Sequence, residues 1–388
     1  MISQGTLLRI LYFLVFCCTA SWLPVMADFC RHRGLDHYQT SLLLSITPVA
    51  MFIAQPVFGM LADRFGYKKV LVTAGLLATF TYLGYLHDGG FGWMLMVTIL
   101  MSLFYNTIQP VLDSLSLQLS TTDPGYSYGS LRVAGAAGWS VTGIITGQTI
   151  DRLSLEMIFV ISAVSMALVF VAALFLQSIQ SEGKANNANP FAGAGTLLRD
   201  RNLAFFLFCV VLVSVGSTTI WNFYSLYMKE HGASASMVGF GLSFQGLCEL
   251  PFFWFASKII RRTGLKPALV LTVAVTAVRM LLYGVIDTPV WAIPVELLQG
   301  ISWSLFWVVC VEYVGKMVPS DRLATGQSLL YAAYYGIGAI AGNFWTGHLS
   351  ELSLSLSTIF LLNAAGTGVV ALVIWKWITD PDRTMVNS

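Results

Sequence analysis

Asn106–Trp139 reads NTIQPVLDSLSLQLSTTDPGYSYGSLRVAGAAGW. The spacing predicts an apolar helix carrying one acid, Asp113, then a short polar turn, then a second apolar helix carrying one base, Arg132. A full charge at the centre of a membrane helix costs about 2.5–3.5 kcal/mol on insertion scales. Opposite charges on neighbouring apolar helices therefore imply either a pair or a site facing a wet cavity. Trp139 follows Arg132 by seven residues, two turns along on the same helical face. An acid, a base and a flat ring on one cavity can hold a polar, ring-shaped solute.

The whole chain supports the membrane reading. Of its 388 residues 56% are hydrophobic and 10% charged, against about 25% charged in a soluble domain. Such a chain cannot cover a water-facing surface. The net charge of +2 carries no nucleic-acid signal, and no nucleic-acid partner is expected. Cys17, Cys18, Cys30, Cys209, Cys248 and Cys310 are scattered through apolar stretches without ligand spacing, so they are expected to fill the core, and no metal site is expected. The first apolar stretch is too long for a signal-peptide core, and it is read as a retained first helix.

About 20 apolar residues span a bilayer. On that measure the sequence predicts an all-α membrane protein with twelve transmembrane helices, near 6–29, 38–61, 69–87, 91–118, 128–150, 155–177, 202–228, 235–257, 267–286, 290–316, 323–348 and 355–378. The polar stretch 178–201 reads as a cytoplasmic linker between an N-terminal six-helix half, 1–177, and a C-terminal one, 202–388. With the N-terminus inside, fifteen of the 21 basic residues fall on inner segments and four on outer ones. The excess of Lys and Arg on inner segments places both termini in the cytoplasm.

The two halves echo each other. Trp22 corresponds to Trp221, Gly34 to Gly232, and Arg64-Phe65-Gly66-Tyr67-Lys68 to Arg262-Thr263-Gly264-Leu265-Lys266. Gly138, Gly147 and Asp151 correspond to Gly338, Gly347 and Glu351, and Asp113 to Glu312. Internal similarity at half length marks transporters built from repeats, with the solute held near midplane.

The loop Gly59-Met60-Leu61-Ala62-Asp63-Arg64-Phe65-Gly66-Tyr67-Lys68-Lys69 joins the second and third spans. Its glycines permit a sharp turn and tight packing. It resembles the signature loop of the major facilitator superfamily. That resemblance implies the major facilitator fold, two pseudo-symmetric halves, usually monomeric, and a conformational latch carried by Gly59, Asp63, Arg64, Gly66, Lys68 and Lys69.

Within that superfamily the opening stretch resembles the branch of lactose permease and the oligosaccharide–proton symporters. Asn106, Pro110 and Asp113 match an Asn-x-x-x-Pro-x-x-acid pattern, and Arg132, Gly135, Gly138 and Trp139 match Arg-x-x-Gly-x-x-Gly-Trp. The resemblance implies that Asn106, Asp113 and Arg132 bind solute hydroxyls while Trp139 stacks on a ring. Carboxylate and guanidinium can clamp adjacent hydroxyls by charge-assisted hydrogen bonds. Glu249 and Arg279 match an acid and a base in the same order on the eighth and ninth spans, and are expected to complete the cavity.

The tenth span departs from that branch. Gln299 and Ser302 stand where a titrating His and Glu are used for proton coupling. Glu296, Glu312 and Glu249 are the candidates for the protonated acid. The segment Glu296-Leu-Leu-Gln299-Gly300 is more similar to the group containing phenylpropionate and nucleoside permeases. Tyr331, Tyr334 and Tyr335 can offer hydroxyls from the eleventh span.

No nucleotide loop or metal-ligand spacing occurs. The expected function is therefore proton-coupled symport of a small polar solute, a sugar or a nucleoside, across the cytoplasmic membrane. The proton gradient drives it, without cofactor or enzymatic step. Uptake of an aromatic carboxylic acid, drug–proton antiport and a non-transporting receptor or scaffold are the alternatives.

Overall fold

A computed structural model describes residues 3–123, 125–126, 128–177, 194–318 and 323–379. Within them the backbone alone is described for 52–65, 117–118, 120–122, 128–129, 194, 257 and 323–325. The stretch 178–193, the basic residues Arg322 and Arg383, and the side chains of Asp63 and Arg64 beside Gly59 thus lie outside the described residues.

Among the described residues every long element is a helix. They run as α1 Gln4–His32, α2 His37–Phe65, α3 Tyr67–Gly84, α4 Gly90–Thr122, α5 Tyr128–Arg152 and α6 Met157–Leu174. After the linker come α7 Arg201–Glu230, α8 Ala235–Thr263, α9 Leu265–Val285, α10 Pro289–Met317, α11 (323–351) and α12 Leu356–Trp377. Counting only the described residues, seven of them, α1, α4, α6, α7, α9, α10 and α12, are long and apolar enough to cross a membrane. The others fall on the remaining predicted stretches, and of α2 the side chains are described only up to residue 51.

Local chemistry sets the ends, and it repeats between the halves. Gly34 closes α1 at φ +77°, with the Leu35 amide donating back to the Cys30 carbonyl at 3.1 Å; this six-to-one bond defines a Schellman stop. Its partner in the repeat, Gly232, has φ +86°. Two residues on, Asp36 accepts from the Gln39 amide at 2.7 Å while the Gln39 side chain accepts from the Asp36 amide, a capping box that starts α2. Ser234 caps the start of α8, accepting from the Met237 amide at 3.1 Å. Gly66 and Gly264, paired in the repeat, turn the chain into α3 and α9 at φ +91° and +83°. A side chain would strain all four positions.

Two compact units form, one of Met1–Asn187 with Ala233–Leu247 and one of Ala188–Gly232 with Cys248–Ser388. In the first, α1 packs on α5 because Gly135 and Gly138 present no side chain to it. A Cβ at Gly138 would collide with the Phe13 carbonyl oxygen, and one at Gly135 with the Phe16 ring. Gly143 and Gly147 admit the first turns of α8 in the same way, against Gly239 and Ala235. Small residues that let backbones touch are the usual device for joining helices in lipid, where burial of apolar surface gives no drive. At that crossing Asp151, the last acid of α5, accepts from the Ala235 and Ser236 amides at 2.9 and 2.8 Å. It caps the α8 N-terminus from a neighbouring helix. Asp151→Ala is expected to cost about 0.5–2 kcal/mol, read as a lower thermal midpoint of the detergent-solubilised protein. An unchanged midpoint would refute the cap.

Outside the spans, Glu156 sits 3.6 Å from His32 and 3.7 Å from Arg33. Its carboxyl is held below the usual range chiefly by a hydrogen bond to its own backbone amide, with smaller help from Ser154, Arg33 and His32. The small stabilisation this gives is present above the ordinary carboxylate range and is lost as pH falls. The second unit is centred on Phe206 stacked on Tyr313 at 4.2 Å and on the surrounding side chains of α7, α9, α10 and α12.

Candidate functional site

In the first unit the predicted pair meets α1. The Tyr12 hydroxyl donates to the Asp113 Oδ1 at 2.6 Å. The Arg132 guanidinium lies over the Phe16 ring, 5.8 Å from its centroid. Tyr12 and Phe16 are one helical turn apart, so acid and base reach the same face of α1. Both are half-buried. Pro110, one turn before Asp113, removes the amide that would bond the Asn106 carbonyl and weakens α4 locally. Asn106 itself is 7% exposed, and its amide donates to the Thr47 carbonyl at 3.2 Å. Its contact is therefore with α2. Trp139 is half-buried, and a Cβ placed on Gly246 of α8 would stand 3.0 Å from its ring.

In the second unit Glu249, Arg279 and Glu296 come together through a residue the sequence had marked only as a departure, Gln299. Arg279 and Glu296 form an ion pair at 2.5 Å, with both side chains almost wholly buried. The Tyr283 hydroxyl donates to the second Glu296 oxygen at 2.5 Å and accepts from Arg279 Nε and Nη2 at 3.2 and 3.1 Å. Arg279 Nη1 donates to the Gln299 side-chain oxygen and reaches Ser302 Oγ at 3.4 Å. Gln299 then donates its amide to Glu249 Oε1 at 2.7 Å. A side-chain amide can accept from the base and donate to the acid at once without carrying a charge. A titrating group there would add a charge to a site already holding three.

The backbone around this network is irregular. Glu296–Leu298 is a 3-10 turn and Gly300–Leu305 a π-helical turn. Gly300 touches the Cys248 carbonyl and Phe252 of α8, so α8 and α10 meet beside Glu249. Pro251 lies two residues beyond Glu249 and interrupts α8 in its turn.

Glu312, the repeat partner of Asp113, is half-buried on α10 and makes no hydrogen bond or ion pair among the described residues. Of the loop residues, Gly66 takes the left-handed turn, Lys68 is half-buried and Lys69 is exposed.

Sequence reasoning passed over Tyr12, Tyr283 and Gln299 as site residues. For Tyr283 a signal existed, since it follows Arg279 by four residues and so shares its face. Tyr12 sits in the apolar run 10–18 of α1, where nothing in the local pattern marks its hydroxyl.

The helices and the repeat between the halves are those of a major facilitator type of chain, and the comparisons with known proteins agree. The protein-family model described as "MFS_1 like family" matches residues 6–362, and the chain belongs to that family. It is 26% identical over 386 residues to the maltose permease of Geobacillus stearothermophilus, covering 98% of this chain and 96% of that one. It is 23% identical to a probable 3-phenylpropionic acid transporter of Escherichia coli (strain K12), covering 88% and 90%. Among solved structures, the nucleoside transporter NupG superposes with a TM-score of 0.86 at 19% identity, covering 96% of this chain and 99% of that one.

Proposed function

We propose that this chain is a proton-coupled symporter of a small polar solute, a sugar or a nucleoside, in the cytoplasmic membrane. Twelve spans in two six-helix halves work by alternating access, both termini are cytoplasmic, and the loop Gly59–Lys69 acts as the latch. Asp113 and Arg132 clamp the solute, and Trp139 offers a stacking face. The protein acts as a monomer with no cofactor, and the partners are solute, protons and lipid.

The observation that supports this reading most is the line of hydrogen bonds from half-buried Glu249 through Gln299 to the buried Arg279–Glu296 pair. Glu249 exchanges the proton. Its state is passed to Arg279 by reorientation of Gln299, and Glu296 holds the arginine when Glu249 is neutral. Arg279 thus serves the proton rather than the solute. One proton crossing 100 mV releases about 2.3 kcal/mol, enough for roughly fifty-fold accumulation.

Uptake of labelled maltose and uridine into proteoliposomes under an imposed proton gradient tests this. Accumulation is expected to collapse with a protonophore. Glu249→Gln is expected to abolish accumulation while keeping solute exchange. Accumulation that survives the protonophore would overturn the coupling.

A further inference from the structure

At the end of the second unit where α8 and α12 finish stand cations that neither the clamp nor the line from Glu249 to Glu296 uses. On α8, Leu250, Trp254, Lys258 and Arg261 follow one another at helical spacing and form one stripe. Every member is exposed, Trp254 at 81%. On α12, Val369, Leu372 and Lys376 form a second exposed stripe. Trp375 and Trp377 flank its cation and are themselves exposed at 61% and 58%. The Lys376 ammonium lies over the Trp377 ring, 4.9 Å from its centroid. Both stripes keep one order toward the helix end: aliphatic side chains, then an indole, then a cation.

Charge here has one sign. From Leu250 to Leu265 the chain holds Lys258, Arg261 and Arg262 and no acid, and α12 holds Lys376 and no acid. Asp380 lies outside the described residues. Among the described residues Lys258, Arg261 and Lys376 make no ion pair. Asp200 stands beside the end of α12, since the Thr379 hydroxyl donates to the Asn202 side chain at 3.1 Å. That acid is occupied in capping α7, accepting from the Asn202 and Leu203 amides at 2.8 and 3.1 Å. At the opposite end of the unit the pattern reverses. Exposed Trp291 has no cation within four residues, and the charge nearest it in sequence is Asp287.

The order of side chains matches the order of groups in a phospholipid. Exposed aliphatic side chains on a membrane helix meet acyl tails. An indole settles at headgroup level, where its ring stays in apolar surroundings and its N–H finds an acceptor. Lys258 and Arg261 stand about 6 and 10 Å beyond Trp254 along the axis, at the level of the phosphates, and their long stems reach further. A water-soluble acidic partner would use the cations but would leave three large indoles and the aliphatic runs exposed.

We propose that these two stripes are docking sites for anionic phospholipid of the leaflet on that side. Each takes a headgroup phosphate on its cations, with the tails along Leu250 on α8 and Leu372 on α12. A zwitterionic lipid offers the same phosphate, but its own ammonium opposes the attraction. The inference uses neither the solute nor the proton assignments, so it is tested separately from the carrier reading.

In the test, full-length protein is reconstituted in phosphatidylcholine bilayers, and phosphatidylglycerol brominated on its acyl chains is titrated in. Bromine beside an indole quenches its fluorescence, and brominated phosphatidylcholine is the reference. Wild type is expected to prefer phosphatidylglycerol about tenfold or more at low salt, each cation contributing roughly fivefold, with the preference shrinking as salt is raised. Lys258→Gln, Arg261→Gln and Lys376→Gln combined should bring the two lipids close to equality. Lys258→Arg with Lys376→Arg, which keeps the charge, should retain the preference, and Lys229→Gln at the opposite end of the unit should leave it unchanged. Trp254→Phe, Trp375→Phe and Trp377→Phe combined should remove most of the preferential quenching. Equal quenching by the two lipids in wild type, or a preference that survives in the triple Gln variant, overturns the proposal. A polyglutamate peptide that binds solubilised wild type but not that variant, with no lipid preference in bilayers, also overturns it and gives the cations to an acidic protein.

Discussion

Glu296→Ala is expected to cost about 3–5 kcal/mol of stability, because it leaves the Arg279 guanidinium buried without its counter-charge. Glu296 is fully buried, and it accepts from Arg279 and from Tyr283. With it gone, Arg279 keeps only neutral partners, Gln299, Ser302 and Tyr283. No route to water opens, since Arg279 is 2% exposed. The double variant Arg279→Met, Glu296→Leu should recover much of the loss, as apolar replacements of buried ion pairs commonly do. It should nonetheless remain without proton-driven accumulation. Thermal unfolding of the purified variants, followed by uptake, separates the two effects. A wild-type midpoint in Glu296→Ala would show that the pair does not carry the weight given to it.

The second large effect falls in the other unit. Asp113→Asn and Arg132→Ala are each expected to reduce uptake to near background, with protein level and thermal midpoint close to wild type. Both side chains are half-buried and lie against one face of α1, where they can meet a solute. Losing either removes a charge-assisted hydrogen bond, among the strongest single contacts a polar solute can make. Tyr12 adds a control. Its hydroxyl fixes the Asp113 carboxylate, and a hydrogen bond to a charged group is worth roughly 1.5–3 kcal/mol. Tyr12→Phe should therefore raise the solute KM and leave the maximal rate largely intact. Wild-type uptake in Asp113→Asn and Arg132→Ala would remove the clamp from the mechanism.

Several particulars show how far the chain could be read before its structure. The paired glycines Gly34 and Gly232, and Gly66 and Gly264, were visible as a repeat, and all four adopt the left-handed backbone that a glycine supplies. Asp113 and Arg132 stood out because a charge in an apolar helix is costly and so needs a reason. Glu249, Arg279 and Glu296 stood out on the same ground, and they lie together. The same logic fails for neutral polar groups. Gln299 and Tyr283 cost little to insert, so Gln299 shows in the sequence only as a departure and Tyr283 only by its spacing from Arg279, yet they join the charges. The contact between the rings of α10 and α11 was equally silent, since Trp and Tyr in a membrane helix are common and say nothing of what they meet.

The membrane class, the helical stretches, the repeat and the charges set in apolar helices were legible along the chain alone. Each of these follows from composition, period and the solvation cost of single residues, which are local properties. It took the packing of the helices to close Arg279 away with Glu296, to link them to Glu249 through an amide, and to bring the rings of α10 and α11 into contact. Those outcomes depend on which helix faces meet. No spacing along one chain encodes them.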